Sequence, residues 1–136
     1  MNSNADFLIW LDGDINTKAN FNVSQHKHYF NTDYFCWFLG RDDCERNKNK
    51  SDSVSTETGI IIFNLKHPIS KNFFEDYKNI YETDKLFELN EVHDGYVFDI
   101  VRKKYKQKYF KAFYQSQDAD FPLTKIDLGK VLEHQI

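Results

Sequence analysis

Phe7-Leu8-Ile9-Trp10-Leu11-Asp12-Gly13-Asp14 is the stretch whose reading decides the fold. Five consecutive apolar side chains have the length of a strand rather than a helix, and a run without alternation fits a strand buried on both faces. Two carboxylates around a glycine then stop the run, a composition suited to a tight polar turn. A buried strand this early in the chain requires sheet neighbours from later residues or from another chain.

Several later segments can be such neighbours or pack against them. Residues 15–33 are polar and irregular, and Tyr34-Phe35-Cys36-Trp37-Phe38-Leu39 is a second β-prone run ending at Gly40-Arg41. Asp42 to Thr58 is dense in Asp, Asn, Lys and Ser, which predicts an exposed loop. Gly59-Ile60-Ile61-Ile62-Phe63-Asn64-Leu65 is the strongest strand signal, closed by Pro68. Phe73, Tyr77, Ile80 and Tyr81 recur at helical spacing, with Ser70 placed to cap the helix and Ile69 and Phe74 placed as a hydrophobic staple. A second helix is predicted to open at His93-Asp94, with Asp94 as its N-cap and Val97, Ile100, Val101 and Tyr105 on one face. Phe113-Tyr114 reads as a short strand and Asp127 to His134 as a last helical turn or two. The order of strands and helices predicts one α/β domain over residues 1–136, with a mixed sheet flanked by helices.

Composition narrows the class. Apolar residues are 40% and charged residues 29%, enough to build a core. Thirteen Phe, eight Tyr and two Trp make the aromatic share 17%, so a few large rings are expected to hold that core. A net charge of −3 argues against attraction of the whole surface to nucleic acid or anionic membrane. The one basic stretch runs from Arg102 through Lys103, Lys104, Lys106 and Lys108 to Lys111, interleaved with Tyr105, Tyr109 and Phe110. It reads either as a solvated helix end or as a phosphate-facing patch. Cys36 and Cys44 lack zinc-ligand spacing and are expected as free thiols in a reducing compartment. No apolar run approaches the roughly 20 residues that span a bilayer. With the polar start Met1 to Asp6, which is unlike a signal peptide, the expectation is a cytoplasmic protein.

The sharpest chemical signal is the Asp12-Gly13-Asp14 turn. Carboxylates at i and i+2 beyond the end of a strand can hold Mg²⁺ or Mn²⁺ beside a diphosphate, where the cation stabilises a leaving phosphate. Open α/β sheets place their ligands at that end of the strands. Asp and Gly also build ordinary turns, so the spacing acquires meaning only from its surroundings.

Those surroundings resemble the GT-A-fold glycosyltransferases, which deliver an Asp-x-Asp motif on a strand. Phe7 to Asp14 looks like that strand. Glu57-Thr58-Gly59-Ile60-Ile61-Ile62-Phe63-Asn64-Leu65 is similar to the family's later strand. His93-Asp94-Gly95-Tyr96-Val97 looks like the segment facing the acceptor sugar, and Leu128-Gly129-Lys130-Val131-Leu132-Glu133-His134 like the late segment whose His completes the metal site. The resemblance implies a nucleotide-sugar donor, a sugar or glycan acceptor and bound Mn²⁺ or Mg²⁺. It implies Asp14 and His134 as metal ligands, Asp12 as a further ligand or a ribose contact, and Glu57 and Asp94 as the groups that hold or deprotonate the acceptor hydroxyl. Plainer readings of the same residues are a loop anion for Glu57, a helix cap for Asp94 and a surface residue for His134.

Family members build the donor pocket from βαβ units ahead of the metal motif, and six residues precede the strand here. The expectation is therefore the metal- and acceptor-binding half of a GT-A fold, as a fragment, as a split subunit whose nucleotide-binding half comes from a partner chain, or as a descendant inactive alone. A HAD-like phosphatase also starts from an apolar strand ending in Asp-x-Asp, but Ile15-Asn16 is not the Gly-Thr or Gly-Val continuation of that family. A non-catalytic binding or assembly module using the aromatics and the Arg102–Lys111 stretch is the remaining alternative.

Overall fold

The computed structural model describes residues 4–30, 33–40, 56–115, 123 and 126–135. Cys44, Arg41 and most of the predicted Asp42–Thr58 loop lie outside the described residues, as do the side chains of Glu57 and Tyr114. Six strands are present among the described residues: β1 (Phe7–Leu11), β2 (Ile15–Thr17), β3 (Cys36–Gly40), β4 (Glu57–Asn64), β5 (Phe110–Gln115) and β6 (Leu132–His134). Two α-helices join them, α1 (Ser70–Glu82) and α2 (Asp94–Arg102), together with 3-10 turns that include Val23–Tyr29 and Asp127–Lys130.

The sheet runs in the order β1-β4-β3-β5, and β2 pairs with β6 in a separate two-stranded ladder. β4 is antiparallel to both of its neighbours, while β5 lies parallel to β3. β1, β3 and β5 therefore point one way and β4 points the other.

Alternation along the strands sorts the core into two halves. Cys36, Phe38, Ile61, Phe63 and Phe110 face α1 and α2, where Phe73, Ile80, Val97, Phe98 and Val101 cover them. Leu39, Ile60 and Ile62 face the opposite side, under Tyr29, Leu123, Leu128, Val131 and Leu132. β4 is buried on both faces, which is why Ile60 to Phe63 is a continuous apolar run.

The aromatic content is concentrated on the helix side. The Phe73 ring, fully buried, lies 5.0 Å from that of Phe35, 5.9 Å from Phe63, 6.0 Å from Phe98 and 6.0 Å from Phe110, in tilted or edge-on geometry. Such contacts add to the burial of each ring's area.

Several expectations are corrected. β1 is not a strand buried on both faces but an edge strand, and Ile9, Trp10 and Leu11 are exposed. Its apolar run is real, yet among the described residues no strand neighbours it on one side to shield it. Residues 15–33 contain β2 and a 3-10 turn rather than irregular chain alone. Thr56 to Thr58 leads into and starts β4 instead of belonging to a loop. The final segment is helical only over Asp127–Lys130 and then becomes β6, because pairing with β2 satisfies its backbone.

The caps also differ. α1 starts at Ser70, with Ile69 at the N-cap and no side-chain cap bond. At α2 the N-cap is His93, not Asp94: His93 Nδ1 accepts from the Tyr96 amide at 3.2 Å. An accepting Nδ1 leaves the proton on Nε2, which contacts Glu91 Oε2 at 2.6 Å.

Arg102, read with the solvated basic run, is buried. Its Nε and Nη2 donate to Asp99 Oδ1 at 3.0 and 2.9 Å, Nη1 donates to Gln107 at 2.7 Å, and the guanidinium lies 4.8 Å over the Phe38 ring. Asp99 also receives Thr56 N and Oγ1 at 2.9 and 2.6 Å, so it ties α2 to the residue that leads into β4. Lys103, Lys104, Lys106, Lys108 and Lys111 remain exposed as expected.

Two substitutions test this packing by urea denaturation. Phe73→Ala is expected to cost about 3–5 kcal/mol through the cavity it leaves. A Cβ on Gly95 would sit 2.1 Å from the Thr56 carbonyl oxygen, so backbone must move. Gly95→Ala is expected to destabilise by about 1–3 kcal/mol, although in an open helix the same change gains up to about 1 kcal/mol. An unchanged or raised urea midpoint for Gly95→Ala would contradict the close approach.

Candidate metal and acceptor site

The carboxyl ends of β1, β3 and β5 share one end of the sheet with the start of β4. Strand pairing places Leu11 beside Ile60, Leu39 beside Glu57, and Gly40 beside Gln115. The Asp12-Gly13-Asp14 turn follows β1 at this end. Asp12 N–H donates to Gly59 O at 3.1 Å and Ile15 N–H donates back to Asp12 O at 3.0 Å, which closes the turn. The Asp12 Oδ1 accepts from the Gly13 amide at 2.9 Å.

The same end gathers the other residues singled out in the sequence. The backbone of Glu57 begins β4 here. Asp94 opens α2, whose next residue, Gly95, packs against Thr56, immediately before β4. Its carboxylate lies 3.4 Å from the Tyr81 hydroxyl, a long contact that leaves it exposed. Residue identity alone could not have placed Asp94 here, because the placement depends on α2 packing against Thr56.

His134 arrives from the far end of the sequence. β6 runs antiparallel to β2 with Ile15 opposite His134, and the Gln135 amide donates to Asp14 O at 2.8 Å. This register brings His134 Nε2 to 3.2 Å from Asp14 Oδ1. The separation is that of an ion pair, but the alignment is not that of a hydrogen bond: Nε2 is buried and, among the described residues, has no hydrogen-bond partner. Distance establishes the juxtaposition, and the poor angle leaves the nitrogen available to another acceptor or to a cation.

A carboxylate oxygen and an imidazole nitrogen suit a divalent cation, and the nitrogen favours Mn²⁺ over the harder Mg²⁺. Among the described residues no group of three His, Cys, Asp or Glu side chains could hold a metal. Asp12 thus does not join Asp14 and His134 in a three-residue cluster. Two protein ligands are compatible with a cation that takes its remaining positions from phosphate oxygens and water.

β6 is held by a cluster that the sequence did not reveal. Asp127, at the start of the preceding 3-10 turn, accepts from the Tyr29 hydroxyl and contacts His26 Nδ1 at 3.1 Å. His28 Nε2 lies 3.9 Å away. His26 is buried and stacked on Phe21 at 5.2 Å. These residues occur at 26–29 and 127, so no local motif joins them.

Burial pushes the Asp127 carboxyl upward, but hydrogen bonds from Tyr29 and His26 and the charges of His26 and His28 outweigh it and hold it below the usual value. A carboxyl lowered by folding stabilises the fold above its unfolded pKa of about 3.9 and loses that contribution as pH falls through the folded value. The stability gap between wild type and Asp127→Asn is therefore expected to be full at about pH 5 and to close below about pH 4, read from urea titrations. A gap that persists unchanged to about pH 2 would refute the linkage. No family model matches this chain, and no curated protein matches it.

Proposed function

We propose that this chain is the metal- and acceptor-binding half of a nucleotide-sugar-dependent glycosyltransferase with a partial GT-A-like fold. The observation that carries the reading is the approach of His134 Nε2 to Asp14 Oδ1, 3.2 Å apart although 120 positions separate them in sequence. The reading is also supported by the convergence of Asp12, the Glu57 backbone and Asp94 on the same end of the sheet.

In this reading Asp14 and His134 hold Mn²⁺ or Mg²⁺, and Asp12 orients the nucleotide ribose through its carboxylate. The cation supplies neutralising charge to the diphosphate leaving group. Asp94, exposed at the helix start, accepts the proton of the acceptor hydroxyl as its oxygen bonds to the sugar carbon and the bond to diphosphate breaks. Glu57 shares the work of orienting that hydroxyl. In this reading the nucleotide-binding βαβ units come from outside residues 1–136, and the setting is the cytoplasm. Among the described residues no helix is long and apolar enough to cross a membrane.

Calorimetry with Mn²⁺ and a nucleoside diphosphate tests the assignment. Mn²⁺ alone is expected to bind weakly and more tightly with the diphosphate present. Asp14→Ala and His134→Ala are each expected to weaken binding by about tenfold or more, equivalent to at least about 1.4 kcal/mol. Binding unaffected by either substitution would remove these residues from the site, and no Mn²⁺ binding by the wild type would remove the site itself.

A further inference from the structure

Among the described residues, β1 lies at the sheet edge and no strand pairs with its outward backbone groups. Leu65 N–H donates to Asp6 O and Asp12 N–H donates to Gly59 O, each between residues directly opposite in the ladder. Asp6, Leu8, Trp10 and Asp12 therefore turn their backbone groups toward β4. Antiparallel geometry then points those of Phe7, Ile9 and Leu11 away from the sheet. Among the described residues none of these outward N–H and C=O groups has a backbone partner.

Natural edges are commonly protected by charge, proline, a bulge or a covering segment. Residues 7–11 carry no charge, proline or glycine, and their register with β4 is continuous. The side chains are wet on both faces. Ile9 and Leu11, 37% and 41% exposed, lie on the face of Phe7 and Ile62, while Trp10, 47% exposed, lies on the face toward the helices. A strand laid alongside would cover both faces together, so it must itself be apolar on both.

Charge selects the occupant. Asp6 stands at one end of the strand and Asp12 and Asp14 at the other; among the described residues Lys66 comes within 3.7 Å of Asp6, as a well-exposed surface pair. A second copy paired antiparallel about Ile9 would match the outward groups of Phe7, Ile9 and Leu11. The same register sets Asp6 opposite Asp12 of the other copy twice, and like charges directly opposed are unfavourable. We propose that the open edge of β1 receives an added strand from a partner polypeptide, an uncharged β-branched run of about five residues bracketed by lysine or arginine. The added strand would end beside the Asp12-Gly13-Asp14 turn. The inference stands on the edge geometry and does not depend on the metal assignment.

The probe is a fluorescein-labelled peptide, Lys-Lys-Val-Thr-Val-Ile-Val-Lys-Lys, titrated with the full chain and followed by anisotropy. Saturable binding is expected, and it should weaken about tenfold when the flanking lysines become glutamates or when alternate backbone nitrogens are methylated. Ile9→Pro removes an outward donor that β4 does not use, so it should leave urea stability nearly intact and weaken the peptide by about tenfold. Asp6→Lys should shift preference toward the glutamate-flanked peptide. Absence of saturable binding by the folded chain, equal binding of the methylated peptide, or indifference to Ile9→Pro would each overturn the proposal. Concentration-dependent dimerisation abolished by Ile9→Pro would instead assign the edge to a second copy. Mn²⁺ binding measured on the same Ile9→Pro protein separates loss of this edge from loss of the metal site.

Discussion

The whole arrangement depends on β4 having no wet face and no free edge. Ile60 to Phe63 are buried on alternating sides, and β1 and β3 occupy its two flanks. A slip of one residue would turn Ile61 and Phe63 out of the helix-side core and break both ladders at once, so register is imposed on three strands together. The two cores then form on opposite faces of one strand rather than as separate units.

Where β4 begins, Asp99 and Arg102 hold α2 against it. A buried charge pair is a weak source of net stability, because removing two charges from water offsets much of their attraction. Its effect here is positional. Asp99 binds both the amide and the hydroxyl of Thr56, and Gly95 permits the helix to touch the Thr56 carbonyl. These contacts determine where Asp94 stands relative to the end of the sheet.

On the other face, Asp127 gathers Tyr29 and His26 and anchors the 3-10 turn that feeds β6. The β2-β6 ladder then brings His134 to Asp14. The candidate site thus joins elements from both sides of the sheet: a turn after β1, a helix start on one face and a late strand on the other. Of its polar side chains, Asp14 and His134 are brought together by the backbone pairing of β2 with β6, while Asp12 and Asp94 stand at the same end of the sheet.

What the sequence determined by itself was local. The apolar runs identified the cores of β1, β3 and β4, the three- and four-residue spacing identified α1 and α2, and Asp12-Gly13-Asp14 announced a turn, because side-chain period and turn chemistry act within a few residues. Asp12, Asp14, Asp94 and His134 could be named as candidates from residue type and order. Tertiary structure alone decided that β1 is an edge, that His93 rather than Asp94 caps α2, that Arg102 is buried on Asp99, and that His134 touches Asp14. Each is a consequence of pairing or burial, which places residues by the free energy of the packed chain and leaves no mark in the spacing of neighbours along it.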